Sequence, residues 1–156
     1  MNLPILLVED EANDVFFMKR AFHLAGILNP MQVAQDGREA MDLLGGEGEY
    51  GDRKKFPLPC LILLDLKLPR VMGLDVLQWM GEQAELKTVI VIVLTSSGLE
   101  PDIERAYELG ANAYLVKPSS HEDLRGIATK IKQFWLELNH GPAARRKFVG
   151  LAASGP

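Results

Sequence analysis

Positive charge is not in excess in this chain: 17 Lys and Arg stand against 21 Asp and Glu in 156 residues, a formal net charge of −4. A surface of that balance carries no electrostatic footprint for nucleic acid, which excludes binding DNA through bulk charge. Cysteine is nearly absent as well. Cys60 is the single one, so no internal disulfide is available, and its place inside an apolar run reads as a small buried thiol. No stretch reaches the roughly 18 apolar residues that a membrane span requires. The N-terminus enters an apolar run almost at once, without a charged region or cleavage site, so a cytoplasmic location is the expectation. Internal repeats and long low-complexity tracts are missing too.

What is present is a chain that is 47% hydrophobic and 24% charged, ordinary for a globular domain of this length. The segment 1–138 reads as one domain and 139–156 as a mostly flexible tail rich in Gly, Pro, Ala and Ser, with a basic cluster at Arg145, Arg146 and Lys147. Five apolar runs mark strands: 4–8, 31–34, 60–64, 89–94 and 113–116. The second alternates apolar with polar residues and fits an edge strand; the central ones are unbroken, as expected of parallel strands covered on both faces. Between them lie helical patterns. Val15, Met18, Phe22 and Ala25 share one face ahead of Gly26, and Asp36 with Glu39 has the spacing of a capping box. Leu74, Leu77 and Met80 begin a third helix, with Trp79 in or beside the core. Pro101 suits the first turn of a fourth. Ser120 and Asp123 cap a last amphipathic helix running through Ile131, Phe134, Trp135 and Leu138. Segment 45–59, with four glycines and two prolines, reads as an extended surface loop. Alternating strands and helices imply a doubly wound α/β fold, a five-stranded parallel sheet of flavodoxin-like order 2-1-3-4-5.

In such a sheet the C-terminal strand tips form the site, and here each tip is chemically loaded. The first run ends in Glu9 and Asp10, the third in Asp65, the fourth in Thr95, the fifth in Lys117. Three carboxylates brought within about 4 Å repel by roughly 4 kcal/mol per pair at an effective dielectric of 20, so they must take up protons or a cation. Oxygen-only donors favour a hard ion, and Mg²⁺ fits because it keeps waters for an incoming phosphoryl group. Lys117 adds an ammonium and Thr95 a hydroxyl. Around Asp65 this makes a pocket for a PO₃ group, with Asp65 as the nucleophile that becomes an acyl phosphate.

Taken together, Glu9-Asp10, Asp65 with Pro69 and Gly73, Thr95-Ser96, Tyr114 and Lys117-Pro118 resemble the signature of a response-regulator receiver domain of the CheY-like family, over residues 4–138. That resemblance implies phosphorylation of Asp65 from the phosphohistidine of a histidine kinase. It also implies Mg²⁺ held by Glu9, Asp10, Asp65 and the backbone carbonyl of Lys67, with Lys117 contacting the phosphoryl group. It further implies a switch in which Thr95 moves toward the phosphoryl group and draws Tyr114 inward, and a cis Lys117–Pro118 bond. Two positions depart from the pattern: Glu9 stands where Asp is common, and Met72 where Asp is frequent. The loop 45–59 and the Phe134-Trp135 ending are similar to stand-alone regulators of phytochrome-type histidine kinases.

Without an output domain, such a receiver delivers a changed surface. The face built by the fourth helix, fifth strand and last helix carries Thr95 and Tyr114, and a homodimer through it is the expectation, with a downstream phosphotransfer or effector protein as a further partner. The alternative is a phosphorylation-independent adaptor or binding module of the same fold. A flavin-phosphate module would need an anion loop where Glu9-Asp10-Glu11 stands. An aspartyl-phosphate hydrolase would need an acid at position 67, which is lysine. The chain is therefore expected to be a phosphoacceptor with slow autodephosphorylation rather than an enzyme.

Overall fold

The computed structural model describes residues 2–142. Five strands, β1 (Ile5–Val8), β2 (Met31–Ala34), β3 (Leu61–Leu64), β4 (Ile90–Thr95) and β5 (Ala113–Val116), alternate with five helices. These are α1 (Ala12–Leu24), α2 (Gly37–Gly45), α3 (Gly73–Gly81), α4 (Glu100–Glu108) and α5 (His121–Ile131). The sheet is parallel throughout, in the order β2-β1-β3-β4-β5, as the alternation of runs and helical patterns predicts. Successive side chains of a strand face opposite sides, and both sides are covered. Leu6, Val8, Ile62, Leu64, Val91 and Val93 pack with Ala40, Leu44, Val76 and Leu77 on one face. Ile5, Leu7, Leu61, Leu63, Ile92 and Leu94 pack with Met18, Phe22, Ala128 and Ile131 on the other. That double cover is the physical reason the central strands are apolar up to the last residue of β4, Thr95.

Helix ends follow their local chemistry. Asp36 Oδ1 accepts from the Glu39 backbone N–H at 2.7 Å, and Glu39 Oε2 accepts in return from the Gln35 N–H, one residue ahead of the cap. Ser120 caps α5 through the Asp123 N–H. Helix α1 begins at Ala12, directly after the acidic tip of β1. The last helix changes character after Ile131: Lys132–Leu138 winds with π-helical hydrogen bonds. There Trp135 packs beside the second core face while Phe134 stays 51% exposed. Trp79 lies partly buried against the first.

The segment 45–59 is more ordered than an extended loop. It contains a 3₁₀ turn at Gly48–Gly51, and Arg53 folds back so that its guanidinium donates to the carbonyls of Leu43 and Leu44 at 2.9 and 2.7 Å. Those carbonyls are among the acceptors that the C-terminus of α2 leaves without helical partners. The expected tail is described only to residue 142; Arg145, Arg146 and Lys147 lie outside the described residues.

Two glycines set the loops around the strand tips. A Cβ on Gly73 would stand 2.3 Å from the Asp65 carbonyl oxygen, and one on Gly37 would stand 2.0 Å from that of Val71. Backbone meets backbone there, so nothing yields easily. Gly73→Ala is expected to lower stability by about 1–3 kcal/mol, the usual cost of overpacking, read as a lower urea midpoint with unchanged slope. A midpoint equal to the wild type would contradict this packing.

Candidate functional site

Register carries the site residues to one level. Val8 lies opposite Leu64, so Glu9 and Asp65 leave the sheet side by side, and the Asp65 N–H donates to the Val8 carbonyl at 3.1 Å. Thr95 ends β4 opposite Val116, and the Lys117 N–H donates to the Thr95 carbonyl at 2.7 Å. The side chains then converge. Lys117 Nζ donates to Asp65 Oδ2 at 2.8 Å, to Glu9 Oε2 at 2.5 Å and to Asp14 Oδ2 at 3.0 Å. The Thr95 hydroxyl donates to Asp65 Oδ1 at 2.8 Å, and the Lys67 N–H donates to the same oxygen at 3.1 Å. Glu9 Oε1 accepts from the Glu11 N–H, at the start of α1. Glu9, Asp65 and Thr95 are buried, at 2%, 7% and 0% exposure.

Burial and proximity divide the two carboxyls. For Glu9, burial raises the pKa; the Lys117 ammonium opposes it, the neighbouring Asp65 adds to it, and the result is about 7 against an ordinary 4.5. Asp65 is also pushed up by burial, but hydrogen bonds from Lys117, Glu9 and Thr95 outweigh that and hold it below the usual carboxylate value. Burial would lower Lys117, yet its bonds to Asp65 and Glu9 hold it above the ordinary lysine range. Near neutrality Asp65 is thus the ionised partner, and Glu9 is the one that shares a proton with the medium.

Of the three acids expected around one ion, Glu9 and Asp65 stand side by side at the strand tips, and Lys117 gathers a different third acid. Asp10 is exposed and outside this network, while Asp14, which the strand-tip pattern does not single out, completes the triangle about Lys117. Among the described residues no three His, Cys, Asp or Glu side chains are gathered as a metal group. The ammonium offsets one of the two buried negative charges, and burial meets the other by raising the Glu9 carboxyl toward its neutral form. The donor chemistry nonetheless suits a hard divalent cation: Glu9 and Asp65 offer carboxylate oxygens side by side at adjacent strand tips. The expected cis bond before Pro118 is a correction: the described peptide bonds contain no cis member. Trans is the lower-energy isomer for X–Pro by about 0.5–1 kcal/mol, and Lys117 reaches its carboxylates from it. Tyr114, beside the site, donates its hydroxyl to the Ser97 carbonyl at 2.8 Å.

The family model described as the response regulator receiver domain matches residues 5–129. The chain belongs to the response regulator receiver family. This receiver is 40% identical over 138 residues to the probable methanogenesis regulatory protein FilR2 of Methanothrix harundinacea, covering 88% of this chain and 86% of that one. It is 39% identical over 140 residues to the response regulator Rcp1 of Synechocystis sp., covering 90% and 93%. The Mn²⁺-bound structure of Rcp1 superposes with a TM-score of 0.81 at 38% identity, over 90% of this chain and 99% of that one. The phosphorylated cyanobacterial phytochrome response regulator RcpA superposes with a TM-score of 0.85 at 35% identity, over 92% and 100%. The receiver therefore has phytochrome response regulators among its relatives.

The raised Glu9 carboxyl gives a pH signature with a fixed sign. Protonation in the folded state contributes stability that is fully present below 4.5 and is lost as the pH rises through about 7. Gln at position 9 cannot ionise and has no such dependence. In EDTA, the wild type is expected to lose stability relative to Glu9→Gln between about pH 5 and 8, measured by urea midpoints. A constant difference across that range would refute the shift.

Proposed function

We propose that this receiver is a single-domain response regulator that accepts a phosphoryl group on Asp65 from a histidine kinase, of phytochrome type. The observation that carries the reading is the double engagement of one buried carboxylate: Thr95 donates to Oδ1 and Lys117 to Oδ2 of Asp65. The Asp65 oxygens are thereby ionised and aimed, and the same hydroxyl and ammonium are at hand for the equatorial oxygens of a PO₃ group. A divalent cation would be held by Glu9, Asp10, Asp65 and the Lys67 backbone carbonyl. Mg²⁺ there would supply positive charge to the phosphoryl oxygens. The Mn²⁺-bound form of Rcp1 supports a divalent ion of this kind. The receiver acts as a phosphoacceptor, not as a dedicated enzyme, and works in the cytoplasm. No described helix is long and apolar enough to cross a membrane.

Phosphorylation adds about −1.5 to −2 charge beside Thr95. The switch runs from Thr95 to Tyr114, whose hydroxyl is hydrogen-bonded to Ser97 just past the tip of β4. It reads out on the α4-β5-α5 face, where Leu99, Tyr107 and Val116 are 66%, 49% and 49% exposed. A homodimer forms through that face, aided by the half-exposed Phe134, and a downstream phosphotransfer or effector protein receives the signal.

Incubation with acetyl phosphate and Mg²⁺ is expected to add the mass of one phosphoryl group to the wild type and none to Asp65→Asn, with an acid-stable, base-labile adduct. Equal labelling of both proteins would end the assignment. For the dimer, sedimentation with a beryllofluoride phosphoryl mimic should double the apparent mass; a monomer with and without the mimic rules the dimer out.

A further inference from the structure

Of the three carboxylates around Lys117, two have defined parts in the proposed chemistry and one has none. A lysine ammonium has three N–H donors. Here they go to Glu9 at 2.5 Å, Asp65 at 2.8 Å and Asp14 at 3.0 Å. Asp65 would exchange its Lys117 contact when its oxygen becomes an acyl phosphate, and Glu9 when it turns to a cation. Asp14 takes part in neither event. It lies in the first turn of α1 and is 48% exposed, at the mouth of a cleft of about 130 Å³ lined also by Phe17, Lys117, Pro118 and His121.

The backbone on either side of this contact is fixed. Phe17, nearly one turn after Asp14, stacks on His121 with ring centroids 3.7 Å apart and planes 23° from parallel. His121 opens α5, four residues after Lys117. Asp14 and Lys117 are therefore presented to each other from two elements that are themselves clamped together. The partner that the reaction leaves untouched is also the one held in place independently of the strand tips.

We propose that Asp14 is a positioning residue for Lys117: it keeps the ammonium over the acceptor pocket while the bonds to Asp65 and Glu9 are exchanged. The inference rests on the reading of Asp65 as phosphoacceptor, and it assigns Asp14 no contact with the phosphoryl group. A carboxylate is needed there, because a neutral amide accepts a weaker hydrogen bond from an ammonium. The loss falls on the maximal rate rather than on donor binding.

The test is the Mg²⁺-dependent phosphorylation of full-length wild type, Asp14→Ala, Asp14→Asn and Asp14→Glu by acetyl phosphate, followed by intact mass. Asp14→Ala should lower the saturating rate by about two- to five-fold, the scale of a half-exposed ion pair, with KM for acetyl phosphate unchanged. Asp14→Asn should fall between, and Asp14→Glu should recover most of the wild-type rate. In EDTA, the ¹⁵Nζ–¹H resonance of Lys117 should exchange slowly in the wild type and broaden in Asp14→Ala. Equal saturating rates in all four proteins overturn the proposal, as does an equal loss in Asp14→Ala and Asp14→Glu, which would assign Asp14 to helix stability alone. If the wild type takes up no phosphoryl group, the acceptor reading of Asp65 falls, and the Lys117 resonance still decides whether Asp14 holds the ammonium.

Discussion

One half-buried ammonium organises this molecule's working end. Lys117 arrives from an edge strand whose side chains are mostly half-buried, yet its own side chain is only 18% exposed and meets acids from β1, β3 and α1. Taking such charges out of water costs several kcal/mol per ion, and mutual attraction compensates only when every lone pair and proton has a partner. Here each of the three N–H donors has one. Removal of the ammonium would leave Glu9 and Asp65 without their shared donor, with only the Thr95 hydroxyl and two backbone N–H groups to meet their oxygens.

The loops around the pocket answer to the same constraint from the backbone side. Asp65 is delivered by a strand buried on both faces, and the chain directly after it turns under α3 where only a hydrogen fits at Gly73. Arg70, in that loop, sits at φ 64° and pairs with Asp36 at 3.6 Å. A non-glycine residue in the left-handed region is costly and persists where neighbours over-determine it. The carboxylate that caps α2 thus also steadies the segment leading away from Asp65. Site geometry and helix capping share a residue.

Much of this was legible in the sequence, for an identifiable reason. Unbroken apolar runs such as Leu61 to Leu64 announce strands covered on both faces, and a polar residue directly after each run marks the tip. Strand order and register then bring Glu9, Asp65, Thr95 and Lys117 together. Asp14 escaped because an acid in a helix's first turn has an ordinary local explanation in the helix dipole. Only the tertiary approach of Lys117, more than a hundred positions away, gives it another role. Arg53 escaped likewise, since its acceptors are backbone carbonyls that no side-chain pattern reports. Asp10 stands exposed beside the buried Glu9, so the two adjacent acids differ in their access to water.

The sheet's double burial has a consequence for how such a chain can diversify. Because side chains of β1, β3 and β4 alternate between two separate apolar clusters, the layer of α1 and α5 and the layer of α2, α3 and α4 meet only through a wall of backbone. Drift on one outer layer does not require compensating change on the other. Only a surface drawn from both layers, as the face of α4, β5 and α5 is, ties the two together.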